Sequence, residues 1–346
     1  MYQKMEMELT LTPVKHVQNA PLLLKQETII STSKSTPEIV AKSPFILANT
    51  EEVSLSHLKR DCIIPVFTKD HEITISHQEF IEAAYASIAK VFPNEVIAQP
   101  EIRTSHLIRG RTPDALHVSA KELTENQKTL YYERMAFAFR IPSITANING
   151  NLLSLIVGGV RAYNTENLYN KKSFEKFKFF IGFQNMVCCN MCISTDGYKD
   201  EIKVTNTTDL INRMKNLMET YQPNLHLKQL EKLQDYHLSE SQFAQIIGKS
   251  RLYNYLPKKE KLHLPELLMN DGHISTIAKD YYNDESFCRE ENGDINLWNM
   301  FNLFTGANKS SYIDTFLSRG VNAFEFSKGI SKALSDRNSN YAWFLS

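Results

Sequence analysis

The sequence has no excess of either charge. Lys and Arg together number 39, and so do Asp and Glu, for a formal net charge of zero over 346 residues. A protein held to nucleic acid mainly by diffuse electrostatics carries a basic excess, so any such contact here must come from a local patch. Cysteine is scarce. Cys62, Cys188, Cys189, Cys192 and Cys288 make an odd total with three crowded within five residues. That is a poor disulfide framework and points to a reducing, cytoplasmic setting. Long apolar runs are also missing. The longest charge-free stretch, Ile141 to Val160, is broken by Pro142, Asn147, Asn149, Gly150 and Asn151. The next, Phe179 to Thr195, contains Gln184, Asn185 and Asn190. A bilayer-spanning helix needs about 20 predominantly apolar residues, so no membrane segment or membrane partner is expected. At the start, Leu22-Leu23-Leu24 is too short for a secretory core.

What the chain does have is core-forming material. It is 42% hydrophobic, with 19 Phe and 15 Tyr, which excludes disorder over the whole length. The length suits roughly two domains of about 150 residues, or one large one. Residues 1–48 read as a poorly ordered tail, because Ser31 to Ser43 is rich in Ser, Thr, Lys and Pro without periodicity. Order is expected from near Phe45. Residues 49–205 read as mixed α+β, and residues 206–346 as a mainly helical region packed on the sheet.

Local signals support this division. Cys62 to Phe67 suggests a strand or buried extended segment. Ser76 and Glu79 have capping-box spacing, and Ile81, Ala84, Ile88 and Val91 follow at helical spacing until Pro93. Across 128–205 the pattern is β. Met135, Phe137, Phe139 and Ile141 alternate with smaller or polar neighbours, as a half-buried strand requires, and Phe177, Phe179, Ile181 and Phe183 alternate again. Asn149-Gly150 marks a hairpin with Leu152 to Val157 as the return strand, and Asp196-Gly197 marks another turn. The sheet is therefore expected to be antiparallel. Beyond residue 206, Leu210, Met214, Leu217 and Tyr221 form one stripe ending at Pro223. Ser239 and Gln242 cap a helix with Gly248 as its expected stop. Asp294 is a candidate cap for a helix bearing Leu297, Trp298, Phe301 and Phe304, and a last helix is expected over Ala323 to Leu334. Strands first and helices afterwards give an α+β class.

The chemistry-bearing motifs are incomplete. Cys189-Asn190-Met191-Cys192 is a single C-x-x-C without the second knuckle that a structural zinc site uses. On a strand, its two thiols would point to opposite faces. His71-Glu72 lacks a second histidine, since position 75 is Ile75. Gly306-Ala307-Asn308-Lys309-Ser310 has Asn308 and Leu303 where a phosphate-binding loop needs glycine, and Gly158-Gly159 lacks a third. Ser239 to Leu256 imitates a helix-turn-helix. Lys249 and Asn254 fall where its second helix needs apolar packing, and Pro257 interrupts too early. No G-x-S-x-G is present. No catalytic residue, metal or cofactor is expected.

Two surface candidates remain. Arg103, His106, Arg109 and Arg111, around Gly110 and before Pro113, are the densest basic constellation and read as a loop. Arginine forks suit phosphate or carboxylate, while solvated charges paired with Glu101 or Asp114 are the plainer alternative. Lys171, Lys172, Lys176 and Lys178 interleave with Phe174, Phe177, Phe179 and Phe180. Single-stranded nucleic acid favours such interleaving, but alternation also describes a core strand with an outward lysine rim.

Several stretches together carry a resemblance. They are Pro100 to His106, Tyr131 to Met135, Val157 to Tyr163, Phe180 to Asn185 and Leu297 to Asp314. On these the chain resembles a Bacteroidota family of unknown function carried on conjugative and other integrated elements. A fainter likeness, on Val187-Cys188-Cys189-Asn190 and on Trp298, Asn302 and Thr305, is similar to a broader plasmid- and phage-encoded family. The resemblance implies a mobile-element accessory protein and carries over no catalytic residue. The first functional expectation is non-enzymatic binding to DNA or to host DNA-processing machinery, with Arg103, His106, Arg109, Arg111 and Arg161 as binding residues. The second is a protein–protein module of anti-defence type, which calls for an exposed apolar patch. The third is an enzyme with a dispersed site.

Overall fold

The computed structural model describes residues 43–62, 74–163 and 174–346. Most of Cys62–Phe67, together with Lys171 and Lys172, lies outside the described residues. So does the tail up to residue 42.

The centre of the fold is an antiparallel sheet. Its strands are β1 (Glu51–Glu52), β2 (Glu101–Thr104), β5 (Arg134–Ile148), β6 (Asn151–Ala162), β7 (Glu175–Asn185), β8 (Met191–Cys192) and β9 (Tyr198–Val204). They follow the order β1-β2-β5-β6-β7, with both β8 and β9 pairing β7. Between β2 and β5, β3 (Leu107–Arg111) and β4 (Lys128–Tyr132) form a separate two-stranded ribbon. The β5–β6 hairpin turns at Asn149 and Gly150, whose φ values of 49° and 76° are those of a primed two-residue turn. Pro142 falls where β5 bulges away from β6, between Ile141 and Thr145, so no ladder hydrogen bond is asked of it.

Helices α1 (Leu55–Arg60) and α2 (His77–Val91) precede most of the sheet. The Ser76–Glu79 capping box is present in full. Helices α3 (Thr207–Thr220), α4 (Pro223–Glu231), α5 (Glu240–Tyr255), α6 (Lys258–Lys261), α7 (Asp271–Asn283), α8 (Leu297–Asn308) and α9 (Ile313–Ser335) follow it, with a small β10–β11 pair (His237–Leu238, Ile295–Asn296) among them. The class is α+β.

Both faces of the sheet are buried, where the alternating pattern predicts one. On the first face Phe137, Phe177, Phe179, Ile181 and Phe183 meet Phe80 and Ile81 of α2 and Leu210 and Met214 of α3 in one continuous core. The second face is built from smaller residues, Ala136, Ala138 and Val160, together with Ile156, Phe180 and Ile193. Ile313, Phe316 and Leu317 of α9 cover it, with Phe45 and Ile46. Glycine sets this packing at two adjacent positions. A side chain at Gly159 would sit 2.5 Å from the Phe80 ring, and one at Gly158 would sit 2.9 Å from Phe180. The Gly158-Gly159 pair serves packing of the two layers.

Phe45 and Ile46 are buried. Three expectations change. Gly248 does not stop α5, because Ser250 and Tyr253 continue its buried face to Tyr255. The cap of α8 is Asn296, whose side chain accepts from the Asn299 amide at 2.8 Å, not Asp294. The last helix begins at Ile313, ten residues before Ala323.

Candidate functional site

The arginines of the basic constellation lie on strands, and only His106 sits in the bend between them. Arg103 lies on β2, and Arg109 and Arg111 lie on β3, where Gly110 allows close approach of β4. A side chain at Gly110 would stand 2.7 Å from Thr129 Oγ1. Most of these cations are already engaged. Arg103 donates to the Thr50 carbonyl at 2.8 Å and lies 4.0 Å from Glu52. Arg111 donates to the Val118 carbonyl and pins its own hairpin connection. Arg161 is fully buried. Its guanidinium donates to the Ile75 carbonyl and the Glu175 carboxylate, and lies 4.4 Å above Phe177 and 4.7 Å above Tyr163. Burial in this cage takes Arg161 off any phosphate-facing surface. His106 and Arg109 stay exposed, and neither has a salt-bridge partner among the described residues. The ladder pairs Arg109 with Leu130 and Arg111 with Lys128, so these three cations share one face of the ribbon.

The lysine rim is neutralised across the sheet. Lys176 reaches Glu201 at 2.8 Å and Lys178 reaches Asp200 at 2.7 Å. Phe177 and Phe179 are core residues, and Phe174 is exposed.

Cys188 and Cys189 occupy a tight turn between β7 and β8, and Cys192 ends β8. Cys189 adopts φ 60° in the turn, and Cys189 and Cys192 are buried. Among the described residues no His, Cys, Asp and Glu side chains group into a metal-holding set. Burial pushes the Cys188 thiol up to about 12, so it stays protonated and weakly nucleophilic.

This turn belongs to a buried amide network that the charge-free runs conceal. Asn190 Nδ2 donates to the Asn302 carbonyl at 2.9 Å, and Asn185 Nδ2 donates to Asn302 Oδ1 at 3.1 Å. Asn302 Nδ2 donates to the Trp298 carbonyl, and Trp298 Nε1 donates to Asn151 Oδ1, both at 2.9 Å. Lys309, 6% exposed, closes one end by donating to Ser43 Oγ at 2.8 Å and to the Cys188 carbonyl. The network therefore joins two sequence patterns more than a hundred residues apart, Val187 to Asn190 and Trp298 to Thr305. Amides inside otherwise apolar stretches were the available signal.

A second feature escaped the sequence reading because the region was weighed only as a helix-turn-helix. From residue 249 to 263, Lys249, Arg251, Lys258, Lys259 and Lys261 stand against a single acid, Glu260. The same corner exposes Leu252 by 60%, Tyr255 by 74% and Leu262 by 81%.

No helix among the described residues is long and apolar enough to cross a membrane. The geometry defines an α+β protein whose sheet is covered on both faces and tied to α8 by a buried amide network. The chain belongs to the family described as Domain of unknown function, B. Theta Gene description (DUF3871), which it matches over residues 24–345. Comparison with curated proteins and with solved structures gave no match.

Proposed function

We propose that this chain is a non-enzymatic accessory protein of a bacterial mobile genetic element, acting in the cytoplasm on DNA or on a protein that processes DNA. The mobile-element context rests on the resemblance of Pro100–His106, Val157–Tyr163 and Leu297–Asp314 to proteins of conjugative elements. The observation that carries the DNA reading is the β3–β4 ribbon. It pairs with no other strand among the described residues and sets Arg109 beside Arg111, which is bound to the Val118 carbonyl, and Lys128, which pairs with Glu125 at 2.6 Å. A two-stranded ribbon fits the major groove of a duplex, and cations on one face of it can reach phosphate. Of the residues first nominated, His106 and Arg109 carry the contact, while Arg103 and Arg111 support it from their backbone anchors. Mobility-shift titrations with single- and double-stranded DNA should show affinity that falls linearly in log–log form as salt rises. Arg109→Glu should weaken it, and the absence of any shift at low salt with either DNA sinks the reading.

A second reading, a protein–protein module, is favoured by a different observation. Leu252, Tyr255 and Leu262 are each exposed at the end of α5 and just after α6, and clustered apolar exposure marks interaction sites.

A further inference from the structure

The corner formed by the end of α5 and by α6 has a layout that neither the core nor the ribbon explains. Leu252 and Tyr255 are three residues apart, so they share one face of α5. The chain then folds back after Pro257. Lys261 Nζ donates to the Asn254 carbonyl at 3.2 Å and sits 4.9 Å above the Tyr253 ring, which brings Leu262 to the same corner. The Tyr255 hydroxyl donates to Asp271, so the ring is held rather than free to turn inward. Lys258 and Lys259 open α6 directly after Pro257, exposed and with no salt bridge among the described residues.

We propose that this corner docks an acidic, apolar-bearing segment of a partner protein. The inference rests on the second reading above, that the chain binds a protein. An interface core needs apolar anchors that lose their water, and Leu252, Tyr255 and Leu262 supply three. Its rim needs charge opposite to the partner's, and the lysines supply that locally in a chain whose net charge is zero. Nucleic acid fits the lysines but leaves both leucines unused, since leucine offers no ring for base stacking. An acidic peptide without apolar residues leaves them unused as well. Only a partner that interleaves carboxylates with leucine or phenylalanine satisfies both features.

The test is a fluorescence-anisotropy titration of the full-length protein with three labelled probes. One is a peptide interleaving aspartate with leucine and phenylalanine. The second has equal charge, with serine replacing the apolar residues. The third is oligothymidylate. The interleaved peptide should bind at least about tenfold more tightly than the serine peptide. Lys258→Glu with Lys259→Glu, and separately Leu252→Ser with Leu262→Ser, should each weaken it by about tenfold or more. All four positions are exposed, and an unchanged thermal melt shows that the fold is retained. Equal binding of the two peptides, or tighter binding of oligothymidylate that ignores the leucine changes, overturns the proposal in favour of plain charge attraction. No binding of the interleaved peptide overturns it outright. Binding of that peptide that both pairs of changes leave untouched keeps the protein-binding reading and removes this corner from it.

Discussion

Asn190 and Asn302 meet across the boundary between sheet and helices. The Asn190 side-chain amide donates to the Asn302 main-chain carbonyl at 2.9 Å, in the interior of α8. The Asn302 side chain in turn accepts from Asn185 of β7. Helix α8 is thus held to the sheet edge by directional bonds as well as by Trp298, Phe301 and Phe304 in the core. Apolar packing alone tolerates sliding, while buried amides that each need a partner select one register.

That arrangement makes Asn302→Ala costly. It removes the nearer acceptor of Asn185 Nδ2 and leaves that buried group only a long 3.5 Å contact to Asn151 Oδ1. The expected loss is about 2–3 kcal/mol, read as a lower urea midpoint at unchanged slope. A loss below about 0.5 kcal/mol, the size of an ordinary surface change, counts against the latch.

Acid should destabilise the fold through its buried histidines, most strongly through two of them. Burial holds His77 and His226 down at about 3, from an ordinary 6.5. Below about 6.5 the unfolded chain takes up protons that the folded chain refuses. The stability these residues provide is therefore complete above 6.5 and is lost as pH falls from 6.5 toward 3. Each contributes a slope of about 1.4 kcal/mol per pH unit in that window. Urea midpoints across it should fall with pH, and His226→Gln should reduce the slope by about one histidine's share. A flat profile contradicts the burial of both rings.

Gly248→Ala should stabilise the protein by about 1 kcal/mol, because the position is exposed helix interior with nothing within 4 Å of an added side chain. A helix-terminating glycine with positive φ would give the opposite sign, so a thermal melt decides between the two roles.

This position also shows where sequence and structure part. The strands were legible because Phe177, Phe179, Ile181 and Phe183 have period two, and the helix starts because Ser76–Glu79 and Ser239–Gln242 have capping spacing. Gly248 misled because a glycine looks the same whether it ends a helix or sits inside one. The second buried face was hidden by Ala136, Ala138 and Gly158, small residues that read as the weak side of a strand. For the candidate site, sequence located the cations but not their partners. Arg103, Arg111 and Arg161 find carbonyls and carboxylates up to 86 residues away along the chain, which no local spacing encodes. The helical corner needed only a count of charges from 249 to 263, together with the exposure that the fold supplies.

The C-terminal segment offers a test with a change of sign. Gly329 lies inside α9, where alanine is normally preferred by about 1 kcal/mol. A side chain there would stand 2.2 Å from the Tyr341 ring, whose short helical segment Asn340–Leu345 packs Phe344 into the core against Phe326. Gly329→Ala should therefore destabilise the protein by about 1–3 kcal/mol, as overpacking does. In a Tyr341→Ala background the obstruction is gone and only helix propensity remains, so the same change should become neutral or stabilising. The two changes must couple in a double-mutant cycle followed by urea unfolding. Additive effects would mean that the terminal segment does not close over α9.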